Sequence, residues 1–186
     1  RMSPALLSQR LKELEVAGIV RRDPSRADPS VHEYRLTSAG EELAPLVDAF
    51  GIWGQRWIST ELSLQHLDAS LLMWDMRRNL DPTPMPKRRS TVQFRFPELP
   101  PIQRSWWLLV DPDGSVDLCS MDPGFNVDLF VSTDLRTMTS IWMGVETVAG
   151  ALRTERLALT GDRQLAADMQ TWLGLSPFAK ERKLAS

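Results

Sequence analysis

Apolar residues first recur at Leu7, Leu11 and Leu14, an i, i+4, i+7 spacing that predicts a helix with one buried stripe. Ser3 can cap it, Pro4 suits its first turn, and Gly18 stops it. Ile19 to Arg22 is a short strand candidate, and Asp23 to Ser30 is a polar turn with two prolines. Val31 to Leu36 then alternates, with His32, Tyr34 and Leu36 on one face, so the two strands form a hairpin. Ser38 and Glu41 have the spacing of a capping box. The helix they open carries Leu43, Leu46, Val47, Phe50, Trp53 and Trp57 as a wide apolar face. Pro45 lies beyond its first turn, which predicts a kink or an irregular opening.

The second stretch predicts a helix over 59–81 with Leu64, Leu67, Leu71 and Trp74 as its stripe, widened by Leu72 and Met76. Pro82, Pro84 and Pro86 form a stiff spacer, and Lys87-Arg88-Arg89 follows. Beyond it the period changes to two. Val92, Phe94 and Phe96 alternate, Ser105 to Val110 is a compact apolar strand, and Asp111-Pro112-Asp113-Gly114 is a turn. Val116 to Met121, Val127 to Val131 and Arg156 to Thr160 complete five strands. Thr133-Asp134 caps a helix bearing Leu135, Met138, Ile141 and Trp142, and a short helix runs near Val145 to Leu152. Asp162 opens a last helix with Leu165, Met169, Trp172 and Leu173. Several antiparallel strands with mixed helices indicate an α+β class.

Helix, two-stranded wing and long helix are the back half of a winged helix-turn-helix. A first helix this well formed predicts a chain that begins inside a domain, its opening helices missing. In such a domain the first helix enters the major groove. With the leucine stripe turned to the core, Ser3, Ala5, Ser8, Gln9 and Lys12 face DNA. Small residues allow close approach, Gln9 can pair with an adenine edge, and Lys12 can reach phosphate. Arg21, Arg22 and Arg26 flank the wing tip.

The run from Ser3 to Glu15, with Ala17-Gly18-Ile19-Val20 and Tyr34-Arg35-Leu36-Thr37-Ser38-Ala39-Gly40, resembles the HxlR-type winged-helix regulators over residues 1–57. The resemblance implies a DNA-binding homodimer whose helix Leu43 to Trp57 helps form the interface. The chain departs from the pattern in lacking the first two helices and any sensor Cys they carry. Asp122-Pro123-Gly124-Phe125, Asp134-Leu135-Arg136-Thr137, Trp142-Met143-Gly144 and Trp172-Leu173-Gly174-Leu175 resemble a sterol-carrier-like domain over residues 90–178. That implies a cavity for an apolar ligand, with Phe125, Phe130, Met138, Trp142, Met169 and Trp172 as candidates to line it. The expected organisation is a winged helix over 1–58, a helix and basic linker over 59–90, the sterol-carrier-like domain over 91–178 and a tail over 179–186.

Charge sharpens this division. The chain of 186 residues has 22 Lys and Arg against 24 Asp and Glu, a net charge of −2 that by itself does not favour a polyanion partner. The balance is uneven: 1–26 and 77–95 are basic, and 96–178 is acidic. An acidic surface repels phosphate, so the carboxy-terminal part is not expected to touch DNA. One cysteine, Cys119, and two histidines, His32 and His66, leave no disulfide within the chain and no plausible metal or catalytic set. No phosphate loop or nucleophile elbow occurs. The sequence reading is a cytoplasmic, non-enzymatic regulator without cofactor or membrane contact, binding double-stranded DNA and an apolar effector. The alternative is a lipid-like ligand carrier in which the winged-helix part mediates assembly.

Overall fold

The computed structural model describes residues 4–26 and 28–185, so the predicted cap at Ser3 lies outside the described residues. The chain divides into two compact units, Arg1–Gly54 and Gln55–Ser186.

The first unit contains α1 (Pro4–Val16), β1 (Val20–Pro24), β2 (His32–Leu36), α2 (Ser38–Glu42) and most of α3 (Ala44–Trp57). Gly18, at φ 72°, ends α1 in a conformation that other residues avoid. β1 and β2 pair antiparallel from Val20↔Leu36 to Pro24↔His32, as the alternation predicts. The cap of α2 is one residue earlier than expected. Thr37, in extended backbone, accepts from the Gly40 amide, so Ser38 is the first helical residue. The Thr37 hydroxyl also donates to the Gly18 carbonyl (2.6 Å), and its amide donates to Ile19 (3.1 Å). One side chain thus joins the end of α1, the start of β1 and the start of α2. The predicted irregularity at Pro45 is a full break, since α2 ends at Glu42 and α3 restarts at Ala44. Pro45 therefore lies in a first turn, where a missing N–H costs nothing.

The leucine stripe of α1 differs from expectation. Leu11 is half-buried, but Leu7 and Leu14 are 50% and 41% exposed. Among the described residues α1 packs on β1, and a strand this short covers only part of the stripe.

The second unit is α+β. Its elements are α4 (Thr60–Ser63), α5 (Ala69–Asn79), β3 (Ser90–Arg95), α6 (Pro101–Arg104), β4 (Ser105–Val110), β5 (Val116–Cys119), β6 (Leu129–Thr133), α7 (Leu135–Trp142), α8 (Val148–Arg153), β7 (Leu157–Gly161), α9 (Arg163–Ala167) and α10 (Met169–Trp172). The sheet order is β5-β4-β3-β6-β7. All pairs are antiparallel except β3 with β6, which is parallel and makes the sheet mixed. Val92, Phe94, Leu108, Leu129 and Val131 from the strands join Met73, Met76, Met138, Ile141, Leu165, Met169 and Trp172 from the helices in one core. The Trp172 indole donates to the Leu165 carbonyl (2.8 Å), which satisfies its N–H inside that core.

The helix predicted over 59–81 is two helices. Asp68 caps α5 by accepting from the Leu71 amide (3.1 Å) and starts a new phase. The buried stripe is consequently Ala69, Leu72, Met73 and Met76, while Leu71 and Trp74 are 62% and 48% exposed. The expected basic linker is part of the packed unit. Leu80 and Met85 are buried, Arg88 bridges Asp128 (2.7 Å) and Asp162 (3.3 Å), and Arg89 pairs with Asp111 (2.6 Å). Gly174, at φ 74°, lies so close to the end of α5 that a Cβ would sit 1.7 Å from the Asn79 carbonyl oxygen. The Asp81 amide donates to the Trp172 carbonyl (2.9 Å) at the same junction.

Candidate nucleic-acid interface

Ala5, Ser8, Gln9 and Lys12 follow one another at helical spacing, and α1 exposes all four. Their shared face is free of large side chains at Ala5 and Ser8. The fifth expected residue, Ser3, lies outside the described residues.

Gln9 is engaged within its own helix. Its Nε2 donates to Glu13 (3.0 Å), and Arg10 donates to the other oxygen of the same carboxylate (2.7 Å). The Arg10 and Gln9 hydrogen bonds hold the Glu13 carboxyl below the ordinary glutamate range. Glu13 was not among the residues the sequence singled out, although its i+4 spacing from Gln9 was legible. Gln9 must give up this bond to present both amide atoms to a base edge.

The wing separates its arginines into two kinds. Arg21 pairs with Asp23 (2.9 Å) and Arg35 with Glu33 (2.7 Å), so these charges are locally neutralised. Glu33 also accepts from the buried Ser25 hydroxyl (2.6 Å), which with Arg35 lowers its pKa. Lys12, Arg22 and Arg26 are exposed, and among the described residues none of them pairs with a carboxylate. Among the described residues, the free positive charge of the unit therefore resides on α1 and on the wing. At the tip, Ser30 donates from its amide and hydroxyl to Asp28 (2.9 and 2.7 Å), which closes the loop.

The apolar face of α3 is open. Leu46, Ala49, Phe50 and Trp53 border a shallow groove, with Phe50 75% exposed. The helix has no buried residue.

In the second unit the six candidate ligand residues do not share one lining. Met138, Trp142, Met169 and Trp172 belong to the packed core. Phe130 stands between the buried Leu129 and Val131, so strand alternation sends it to the opposite, exposed face. Phe125 is exposed beneath the Arg89 guanidinium, 5.0 Å from its ring centre. Trp142 also reaches a concave surface. With Leu67, Leu72 and Met143 it borders a cleft of about 210 Å³ between α5 and α7, whose rim holds Asp68 and Asp75. No group of His, Cys, Asp and Glu suited to a metal ion occurs among the described residues.

An HTH-type transcriptional regulator of Bacillus subtilis is 44% identical over 57 residues, 31% of this chain and 53% of that protein. A regulator of the same description from Mycobacterium tuberculosis is 40% identical over 52 residues, 28% of this chain and 33% of its own length. The chain thus spans about half or less of the curated relatives it matches. Among solved structures, sterol carrier protein 2 like 2 from Aedes aegypti is similar at 22% identity and a TM-score of 0.40, over 54% of this chain and 92% of that one. The ubiquinone synthesis protein UbiJ-SCP2 is similar at 13% identity and a TM-score of 0.44, over 56% and 91%. Residues 1–62, a third of the chain, match the HxlR-like helix-turn-helix family.

Proposed function

We propose that this chain is a DNA-binding transcriptional regulator that places α1 in the major groove and the wing against the backbone. The observation that carries the reading is the distribution of unpaired charge. Lys12, Arg22 and Arg26 are free on the helix and hairpin that flank the small-residue face of Ala5 and Ser8. Phosphate contacts from such groups set affinity and register, and Gln9 supplies the base contact. The match of residues 1–62 to the HxlR-like family supports the same reading.

The finer parts of the proposal are a homodimer and an effector. The open face of α3 takes a second copy of the same face, which brings two reading heads to an inverted repeat. The second unit binds a small apolar molecule that biases their arrangement, and the coupling is reciprocal. Titration of the chain with DNA from upstream of its own gene, across a salt series, tests the core of this. Binding falls steeply with salt, and Lys12→Ala and Arg22→Ala each flatten the slope. Gln9→Ala relaxes preference at one base pair by about 1–3 kcal/mol. If all three variants bind as the parent does, α1 and the wing are not the interface.

A further inference from the structure

The Gln9 amide has two competing uses. In the chain alone it lies along α1, its Nε2 donating to Glu13 Oε1 one turn on (3.0 Å), while Arg10 holds Oε2 of the same carboxylate (2.7 Å). Gln9 and Glu13 are both exposed on the helix. A side chain laid along its helix is not extended toward a base edge, so the Glu13 bond and a bidentate base contact exclude each other. Glu13 also has no substitute. The other side chains one turn from Gln9 are Ala5, Leu6 and Lys12, and none of these carries an acceptor.

We infer that Glu13 is a positioning residue for Gln9, a resting partner that makes the recognition helix tolerant of base changes at the position Gln9 reads. The inference rests on the reading of α1 as the helix that enters the major groove. At an adenine, Gln9 exchanges Glu13 for the base. At a base pair with no matching edge, a lone glutamine would be left with an unpaired amide in a desolvated groove. Such unpaired groups are what make hydrogen-bonding sites selective. Here the amide returns to Glu13, and most of that penalty is removed. Discrimination is therefore smaller than a glutamine without this partner would give. Arg10 supports the arrangement, because its bond holds the carboxylate in place and offsets its charge near phosphate.

The test uses the full chain, a preferred duplex, and three duplexes that replace the one base pair at which Gln9→Ala loses preference. The readout is the ratio of matched to substituted affinity in competition titrations. Glu13→Ala widens this ratio roughly fivefold, the low end of what one unpaired donor costs. Loss of a carboxylate from α1 also strengthens binding to every duplex alike, which leaves the ratio untouched. Glu13→Gln separates the two effects. It removes the charge but keeps an amide oxygen that accepts from Gln9, so all affinities rise and the ratio stays that of the parent. In a Gln9→Ala background, Glu13→Ala leaves the ratio unchanged. These are exposed helix positions, so the variants fold. An unchanged ratio in Glu13→Ala, or the same widening in Glu13→Gln or in the Gln9→Ala background, overturns the inference. A chain that binds no DNA, or binds it regardless of Lys12→Ala and Arg22→Ala, refutes the interface and this role with it. One that binds through those residues with an unchanged ratio refutes the role of Glu13 alone.

Discussion

Phe50→Ala is the most decisive single change for the proposed assembly. Phe50 is 75% exposed on the open face of α3, beside Leu46 and Trp53. Full burial of a phenylalanine is worth about 1.5–3 kcal/mol, so covering the exposed three quarters contributes about 1–2 kcal/mol. A two-fold interface uses the same residue on both copies, which doubles the effect to about 2–4 kcal/mol per dimer. The dimer dissociation constant then rises by roughly 30- to 1,000-fold. Fold stability barely changes, because the side chain is already in water. Sedimentation equilibrium across a concentration series measures the constant directly. Leu71→Ala is the control, since Leu71 is 62% exposed on α5 and outside the proposed interface. A parent chain that stays monomeric at about 100 μM would refute the reasoning, the free energy then being weaker than roughly −5.5 kcal/mol. So would a Phe50→Ala shift no larger than that of Leu71→Ala.

Other consequences are equally direct. Gly174→Ala destabilises the second unit strongly, since its Cβ would meet the Asn79 carbonyl at 1.7 Å and φ is 74°; a loss of well over 1 kcal/mol in chemical denaturation is expected, and a neutral result would mean that this junction opens freely. Thr37→Ala removes the cap of α2 and its ties to Gly18 and Ile19; a cost of about 1–2 kcal/mol follows, and Thr37→Ser restores most of it. Glu13 titrates below a normal glutamate because Arg10 and Gln9 hydrogen-bond its carboxylate. Its folded pKa being depressed, its contribution is present above the unfolded value and fades as pH falls through the folded one. Carboxyl NMR of Gln9→Ala and Arg10→Ala shows the midpoint moving back up, Arg10→Ala having the larger effect.

Where each residue's environment is local, the sequence was a good guide. The β1–β2 hairpin, the Asp134 cap of α7, the turn at Gly114 and the buried Leu165, Met169 and Trp172 all follow from spacing and turn chemistry. The misreadings have specific causes. Continuous periodicity across Asp68 concealed a helix break, and the rotated phase put Leu71 and Trp74 outside. Thr37 and Ser38 are both competent caps, and the pull of Gly18 and Ile19 on the Thr37 hydroxyl decided between them. Alternation reads alike in parallel and antiparallel strands, so the β3–β6 pairing was not legible. The Lys87–Arg89 run looked like a free charge patch because its partners, Asp111, Asp128 and Asp162, lie 22 to 74 residues away in sequence. On the candidate interface, residue identity gave the outward face of α1. Only coordinates could show that Arg21 is neutralised while Arg22 is free.

The junction at Gly174 bears on how the chain acquires its structure. The end of α5 meets a turn that follows nearly a hundred residues later, and the parallel β3–β6 pair encloses the β4–β5 hairpin. The contacts that knit α1, β1, β2 and α2, by contrast, are complete within the first 43 residues. Loops that long close slowly, and domains fold as their residues emerge during synthesis. The wing and its helix can therefore settle while α5 still exposes Met73 and Met76. Those methionines stay uncovered until β5 and α7, on which α5 packs, have left the ribosome. That interval is when this chain is most open to aggregation, and a chaperone acting on it has most to gain there.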